Sequence, residues 1–522
     1  MTHRNGHPPA LRLLAGLAAL ALLLLGILAC ARSPQGDGPA FWSVSVPGTA
    51  TPPSQAAIIP EPIWSFGPRR TPGGPVFTPT PDNPHNLPPL RTTPDVYTIQ
   101  AGDTLGLVAS KYGVSVEQIV TYNDLADANL LSVGQVINIP VPTPEAPGPS
   151  FKIIPDSELV NGPVNVLFKV DEFVQKQGGF LASYKEEVGE RSLSGAQIVQ
   201  QIAQDYSVNP RLLLAVLEYQ SGWVTKKTPA QEQRSYPLGL LDPQRKGLYR
   251  QLAWAANSLN RGFYLWQAGG VGVWLMGDGT IIPINPTINA GTAAVQQFFA
   301  PLLGRKDWEQ AVSQTGLAAT FTALFGYPFD YAVEPLLPAG LQQPPLQLPF
   351  EPGVTWAFTG GPHGGWGDGS AWGALDFGPP GKALGCVLSD AWVVAIADGP
   401  VIRTGDGAVI QDLDGDGMEQ TGWVILYMHI DSNERVAAGT LLKAGDRVGH
   451  PSCEGGVSNG THVHIARRYN GAWIPADSGS LPFVMDGWVA SGAGREYDGY
   501  LERNGKTIEA YAGNSPDNGI QR

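Results

Sequence analysis

Histidine placement constrains this chain more than any other feature. Of eight histidines, five fall between residues 363 and 464, in a stretch rich in Gly and Trp. They occupy three motifs: Gly360-Gly361-Pro362-His363, followed by Leu375-Asp376-Phe377; Leu426-Tyr427-Met428-His429-Ile430; and Gly460-Thr461-His462-Val463-His464-Ile465. In a strand, side chains at i and i+2 share a face. His462 and His464 therefore meet over one patch of sheet, with Val463 and Ile465 packed behind. Apolar runs at Trp392–Ile396, Trp423–His429 and Val463–Ile465, bounded by Gly, Asp and other polar residues, predict a β-rich domain from about residue 350. Two imidazoles and a carboxylate, completed by water, are a catalytic zinc set. A further imidazole nearby can take a proton from the activated water or steady a charged intermediate. His-x-His alone is a weak signal, since an isolated histidine is more often structural; three motifs in this order leave that explanation little room.

The set resembles the lysostaphin-type zinc endopeptidases of bacterial cell walls, which read His…Asp, then a lone His on a strand, then His-x-His. A Gly-rich insertion separates His363 from Asp376, and Phe358-Thr359-Gly360-Gly361-Pro362-His363 is similar to the β-lytic branch. Over residues 350–480 the resemblance implies His363, Asp376 and His464 as zinc ligands. It implies His429 and His462 as catalytic, one accepting the proton from water and the other stabilising the oxyanion. Ala438-Gly439-Thr440 and Ala444–Gly449 match the family's turns. His450 has no matching role and is expected on the surface or rim.

Asp412-Leu413-Asp414-Gly415-Asp416-Gly417-Met418-Glu419 alternates acids and Gly like a calcium loop. The twelfth position is Trp423, so an EF-hand fails. Either Glu419 substitutes as a ligand beside Asp412, Asp414 and Asp416, or the segment is an acidic hairpin turn.

Arg4 and Arg12 precede an uncharged run, Leu13–Ala29, that ends in Ile27-Leu28-Ala29-Cys30. This reads as a secretory signal, and it resembles the lipobox of bacterial lipoproteins, which implies lipidation of Cys30 and anchoring to a bacterial membrane; an uncleaved anchor is the alternative. Both place the chain outside the cytoplasm. Cys386 and Cys453 then remain for one disulfide in an oxidising compartment. The net charge of −13, without long acidic blocks, argues against nucleic acid as a partner. Residues 31–95 hold 16 prolines and read as a tether that spans roughly 50 Å as a coil or up to about 200 Å as polyproline.

Residues 96–141 read as strand, helix, helix, strand. Asp103 is expected to cap the first helix, Gly113 to end it, and Ser115-Val116-Glu117-Gln118 to open the second as a capping box. Tyr97–Leu105 and Leu131–Pro140 resemble a LysM domain, whose shallow groove binds N-acetylglucosamine in peptidoglycan or chitin. The resemblance implies Gly102, Asp103, Thr104 and Leu105 on one side of the groove and Asn129 and Leu130 on the other.

After a linker at 142–151, residues 152–340 read as mostly helical. Asn209-Pro210 opens a helix with Pro at its first position. Val208–Trp223 resembles the catalytic helix of lysozyme-like transglycosylases, but Gln220 stands where that family has its general acid. Glu218 lies roughly 200° round the helix from it. The expectation is a lysozyme-like scaffold without catalysis; an unrelated helical domain is the alternative.

The whole is expected to be multidomain: a signal peptide at 1–30, a tether at 31–95, a βααβ LysM module at 96–141, a mostly α lysozyme-like domain at 152–340, a β-rich metallopeptidase domain at 350–485 and a C-terminal extension at 486–522. The implied activity is zinc-dependent hydrolysis of peptide bonds in peptidoglycan stems or cross-bridges. The rivals are a non-enzymatic wall-binding adaptor that recruits another hydrolase, and a secreted protease acting on proteins.

Overall fold

The computed structural model describes residues 79–88, 91–100, 102–143, 146–381 and 384–522. The expected signal peptide, Cys30 and most of the tether lie outside these residues. Among the described residues, no helix is long and apolar enough to cross a membrane.

Strands β1 (Asp95–Thr98) and β2 (Val136–Ile139) pair antiparallel, Asp95 opposite Ile139, and flank helices α1 (Leu105–Tyr112) and α2 (Val116–Tyr122). Ser115 and Gln118 form the expected capping box, and Gly113 takes φ +62° after α1. Asp103 does not cap α1. Thr104, adjacent to the first helical residue, takes that place and accepts the Leu107 N–H through Oγ1 at 3.2 Å. Asp103 instead closes the preceding turn, accepting the Gln100 N–H at 2.7 Å and the Tyr97 hydroxyl at 2.8 Å. Leu105, expected at the glycan groove, is only 3% exposed and packs in the module's core with Val108, Ile119 and Ile137.

That core continues beyond the module. Ile281 belongs to it, and Val273 and Leu275 pack against it; these come from a hairpin of the middle domain, β3 (Val273–Leu275) and β4 (Ile281–Pro283). The connecting segments are laid on the same domain. Gly148 N–H donates to Pro283 O at 2.9 Å, and Gln296 donates to Pro149 O. At the end of the expected tether, His85 N–H donates to Pro286 O at 2.9 Å and its ring stacks on Trp266. An extended Pro-rich chain leaves its backbone groups free for such contacts, so residues 79–88 and 148–149 are docked on the helical domain.

The middle domain is helical, as expected. Its main elements are α3 (Gly195–Asp205), α4 (Pro210–Ser221), α5 (Leu248–Gln267) and α6 (Ala290–Phe299). Asn209 caps α4 and Pro210 occupies its first turn. Gly262 lets α5 and α6 touch: a Cβ there would lie 2.7 Å from Ala293 O.

The C-terminal domain holds a nine-stranded sheet. Its strands are β5 (Thr355–His363), β6 (Ala374–Gly378), β7 (Gly399–Gly405), β8 (Ala408–Asp412), β9 (Trp423–Met428), β10 (Leu441–Leu442), β11 (Val463–Tyr469), β12 (Ala472–Trp473) and β13 (Gly519–Gln521). The order is β10-β7-β8-β9-β11-β6-β5-β13, with β12 beside β11. Period-two alternation divides its side chains. Ile425, Tyr427, Ile465, Leu375 and Phe377 face one core. Val424, Leu426, Met428, Ala466 and Ala374 face the other way and join the core of the helical domain. Exposing the larger of these by lifting the helices away would cost about 1.5–3 kcal/mol per side chain. A buried ion pair and a hydrogen bond cross the same interface: Arg403 meets Asp205 of α3 at 2.8 Å, and Arg468 donates to Gln204 O.

Residues 486–522, expected as an extension, are part of this domain. Trp488, Ala490, Leu501, Ile508 and Ile520 lie in the sheet's outer core, and β13 pairs with β5, Ile520 opposite Trp356. Their apolar positions alternate like those of any half-buried strand, which gives them a face to bury.

Candidate metal centre

Strand register assembles the site. His363 ends β5, and Asp376 lies in β6. His464 lies in β11 directly opposite Asp376. His462 precedes β11 by one residue, and His429 follows β9 at φ +63°, a left-handed turn that a His adopts only where its surroundings hold it. Ligand-type atoms converge on one point. His363 Nε2 is 2.9 Å from His464 Nδ1, and Asp376 Oδ1 is 3.2 Å from each of them. Tetrahedral zinc with bonds of about 2.0–2.1 Å needs ligand atoms roughly 3.3 Å apart. Asp376 Oδ1 is buried yet has no hydrogen-bond partner, as expected of an atom reserved for a cation. The residues therefore fit a zinc ion.

Backbone carbonyls orient each ring. His363 Nδ1 bonds Gly361 O at 2.8 Å, and His464 Nε2 bonds Gly365 O at 3.1 Å. Each leaves its other nitrogen turned to the common point. His462 Nδ1 bonds Gly460 O at 2.7 Å, with Nε2 3.7 Å from Asp376 Oδ2. His429 Nδ1 bonds Glu454 O at 2.9 Å, and its ring centroid lies 4.4 Å from that of His462. Burial works to raise the Asp376 pKa, but His363 and His462 hold it well below the usual carboxylate range. Burial, then the neighbouring His462 and His464, push His429 down to about 3.

All five residues singled out in the histidine motifs thus meet in one place. The disulfide joins Cys386 and Cys453, whose Cα atoms are 5.7 Å apart, beside the Glu454 carbonyl that orients His429. His450 lies off the site, packed against the Trp392 ring at a tilt of 42° and bonded to Ala391 O. Tyr497 went unrecognised in the sequence; its ring stacks on His363 at 4.2 Å. It comes from the segment read as an extension, and no motif marks it.

In the acidic loop, only the expected role of Glu419 is overturned. Asp412, Asp414 and Asp416 cluster, but Glu419 is not with them. It is buried and paired with Arg403 and Arg468, the latter at 2.7 Å. A carboxylate taken out of water needs a cation, and these two arginines supply it. The Asp412 carboxylate accepts backbone N–H groups from Asp414, Gly415 and Gly417, as in a hairpin turn. In the helical domain, the Gln220 amide donates to Leu238 O. Glu218 accepts the Val224 and Thr225 N–H groups and the Thr225 hydroxyl, a structural role at the end of α4.

Fold and site together define a class: a LysM module and a helical domain joined to a β-sheet domain that carries a His-Asp-His metal-ligand cluster. Comparison with known proteins agrees. The family model for the LysM domain matches residues 97–140, and that for the LasA N-terminal domain matches residues 152–338. Protease LasA of Pseudomonas aeruginosa (strain UCBPP-PA14) is 28% identical over 299 residues, 53% of this chain and 66% of that protein; the chain thus spans less than two thirds of that relative's length. The N-acetylmuramoyl-L-alanine amidase XlyA of Bacillus subtilis (strain 168) is 38% identical over 60 residues, 12% of this chain and 20% of its own. Among solved structures, the M23 metalloprotease pseudoalterin from the deep sea is 24% identical, covering 34% of this chain and 99% of its own, at a TM-score of 0.27. A score that low does not establish a shared fold.

Proposed function

We propose that this chain is an extracytoplasmic cell-wall peptidase whose C-terminal domain hydrolyses peptide bonds of peptidoglycan with one zinc ion. The reading is carried by the meeting of His363 Nε2, Asp376 Oδ1 and His464 Nδ1 within 3.2 Å of one another, with two more imidazoles alongside. Zinc held by this triad supplies Lewis acidity, activating water near neutral pH and polarising a peptide carbonyl. The remaining work falls to the chain's own groups. With Nδ1–H donated to Gly460 O, His462 presents a lone pair at Nε2, placed to take a proton from the attacking water and return it to the leaving amine. His429 is held the same way by Glu454 O. Of the two rings, one accepts the proton at Nε2 and the other stabilises the oxyanion.

The LysM module holds the enzyme to glycan strands, with Gly102, Asp103 and Thr104 on one side of the groove and Asn129 and Leu130 on the other; Leu130 is 75% exposed. Lipidation at Cys30 and the Pro-rich tether set the reach from the membrane. A non-enzymatic adaptor would have no use for a complete ligand triad, and wall retention disfavours a protease of soluble proteins.

The test is digestion of purified peptidoglycan by the full chain, with and without chelator, read by mass spectrometry of released muropeptides. New peptide ends that vanish with chelator and in His464→Ala are expected. Equal products from wild type and His464→Ala would overturn the reading.

A further inference from the structure

The loop joining β5 to β6 carries the Gly365 carbonyl that accepts the His464 Nε2–H at 3.1 Å. This contact turns Nδ1 towards Asp376. The loop has its own bracing: Gly365 N–H donates to Ala371 O at 3.0 Å, and Trp366 N–H donates to Ser370 Oγ at 2.9 Å. Its outer end is held from another domain. Asn257, on α5, accepts the Gly369 N–H through Oδ1 at 2.9 Å and donates through Nδ2 to Asp368. Arg261, one helical turn on, lies 3.7 Å from Asp368. The approach is close enough that a Cβ at Gly369 would fall 2.0 Å from the Asn257 carbonyl oxygen. A side-chain amide that both accepts from and donates to successive residues fixes a loop in position and in rotation.

We propose that Asn257 of the helical domain is a positioning residue for the metal centre, acting through the 364–373 loop and the Gly365 carbonyl to hold His464 in the ring orientation and tautomer that expose Nδ1. The helical domain is then a working part of the site, not a spacer. The inference rests on the zinc reading above. Partners that orient a ligating imidazole matter to metal affinity by about 10–100-fold, and Asn257 acts on such a partner at one remove.

The experiment uses the full chain. Zinc affinity is measured by competition with a chromophoric chelator, and site geometry by the visible spectrum of the cobalt-substituted protein. Asn257→Ala should bind zinc about tenfold more weakly, with shifted cobalt bands. The double variant Asn257→Asp/Asp368→Asn exchanges donor and acceptor: the new carboxylate accepts the Gly369 N–H and the new amide donates to it. It should recover affinity and spectrum. Unchanged affinity and bands in Asn257→Ala, or a loss that the double variant leaves in full, would overturn the proposal. Should Asn257→Ala fail to fold, Asp368→Ala carries the test, since that side chain is 67% exposed; it should weaken zinc binding, and wild-type affinity would count against the proposal. His464→Ala separates the two readings: if it binds zinc as the wild type does, the metal centre itself has been misplaced, whatever Asn257 does.

Discussion

His464 and Asp376 sit directly opposite each other on neighbouring antiparallel strands, with Nδ1 and Oδ1 3.2 Å apart. Two of the three candidate ligands are thus set by sheet register, and a slip of one residue would put them on opposite faces of the sheet. Asp376→Asn keeps the shape and removes the charge. Zinc affinity should fall by more than the roughly 10–100-fold typical of an outer partner. The metal-free variant should melt lower than wild type, because, against burial, His363 and His462 hold the Asp376 pKa well below the usual carboxylate range, so the folded chain favours the charged form. Chelator competition and thermal melting read the two effects. A variant that binds zinc normally would remove Asp376 from the ligand set.

Gly360 pairs with Asp376 on the adjoining strand. A Cβ there would lie 2.7 Å from Asp376 Oδ2 and 3.1 Å from its Cβ and Cγ, so the residue has to be Gly for the carboxylate to stand where it does. Gly360→Ala should therefore weaken zinc binding about tenfold or more through Asp376, although the alanine itself touches no metal. Titration of the purified variant with zinc would detect it.

The local parts of this structure were legible because their causes are local. Ser115 and Gln118 cap α2 across three residues, Asn209-Pro210 opens α4, and the i, i+2 rule puts His462 and His464 together. Distant pairings were not. Glu419 looked like a cation ligand until its arginines, Arg403 and Arg468, came in from other strands. Residues 486–522 carry no catalytic motif, yet Ile520 pairs beside Trp356 and Tyr497 lies on His363. Nothing near Asn257 in the sequence points to Gly369. Asp103 was misread by one position, since a Thr adjacent to the helix took the cap.

The His429 pKa near 3, set by burial and then by His462 and His464, makes a prediction for stability. An unfolded His titrates near about 6.5. Between those values the unfolded chain binds the extra proton, so this residue's contribution to stability is greatest above the unfolded pKa and falls as pH drops towards 3. The slope from one such group is at most about 1.4 kcal/mol per pH unit. His429→Gln should flatten the acid-side decline of the metal-free protein between pH 6.5 and 4.5. Thermal melts at several pH values, compared between variant and wild type, measure it; parallel curves would mean that His429 already takes up a proton when folded.

Glu218 invites a glycosidase test, because it is the carboxylate nearest in sequence to the position that a lysozyme-like enzyme gives its general acid. Its oxygens are already committed. Oε2 accepts the Val224 and Thr225 N–H groups at 2.9 and 3.0 Å, and Oε1 accepts the Thr225 hydroxyl. Three donors thus occupy this carboxylate, which closes the turn after α4, where Gly222 takes φ +69°; both oxygens are spent on the turn rather than offered to a glycosidic oxygen. Glu218→Ala should lower stability by about 1–3 kcal/mol, the cost of leaving those donors unsatisfied. It should leave the pattern of released muropeptides as in wild type. Denaturant unfolding gives the first quantity and mass spectrometry the second. Loss of glycan-strand products in the variant, with folding intact, would show that α4 carries catalysis after all.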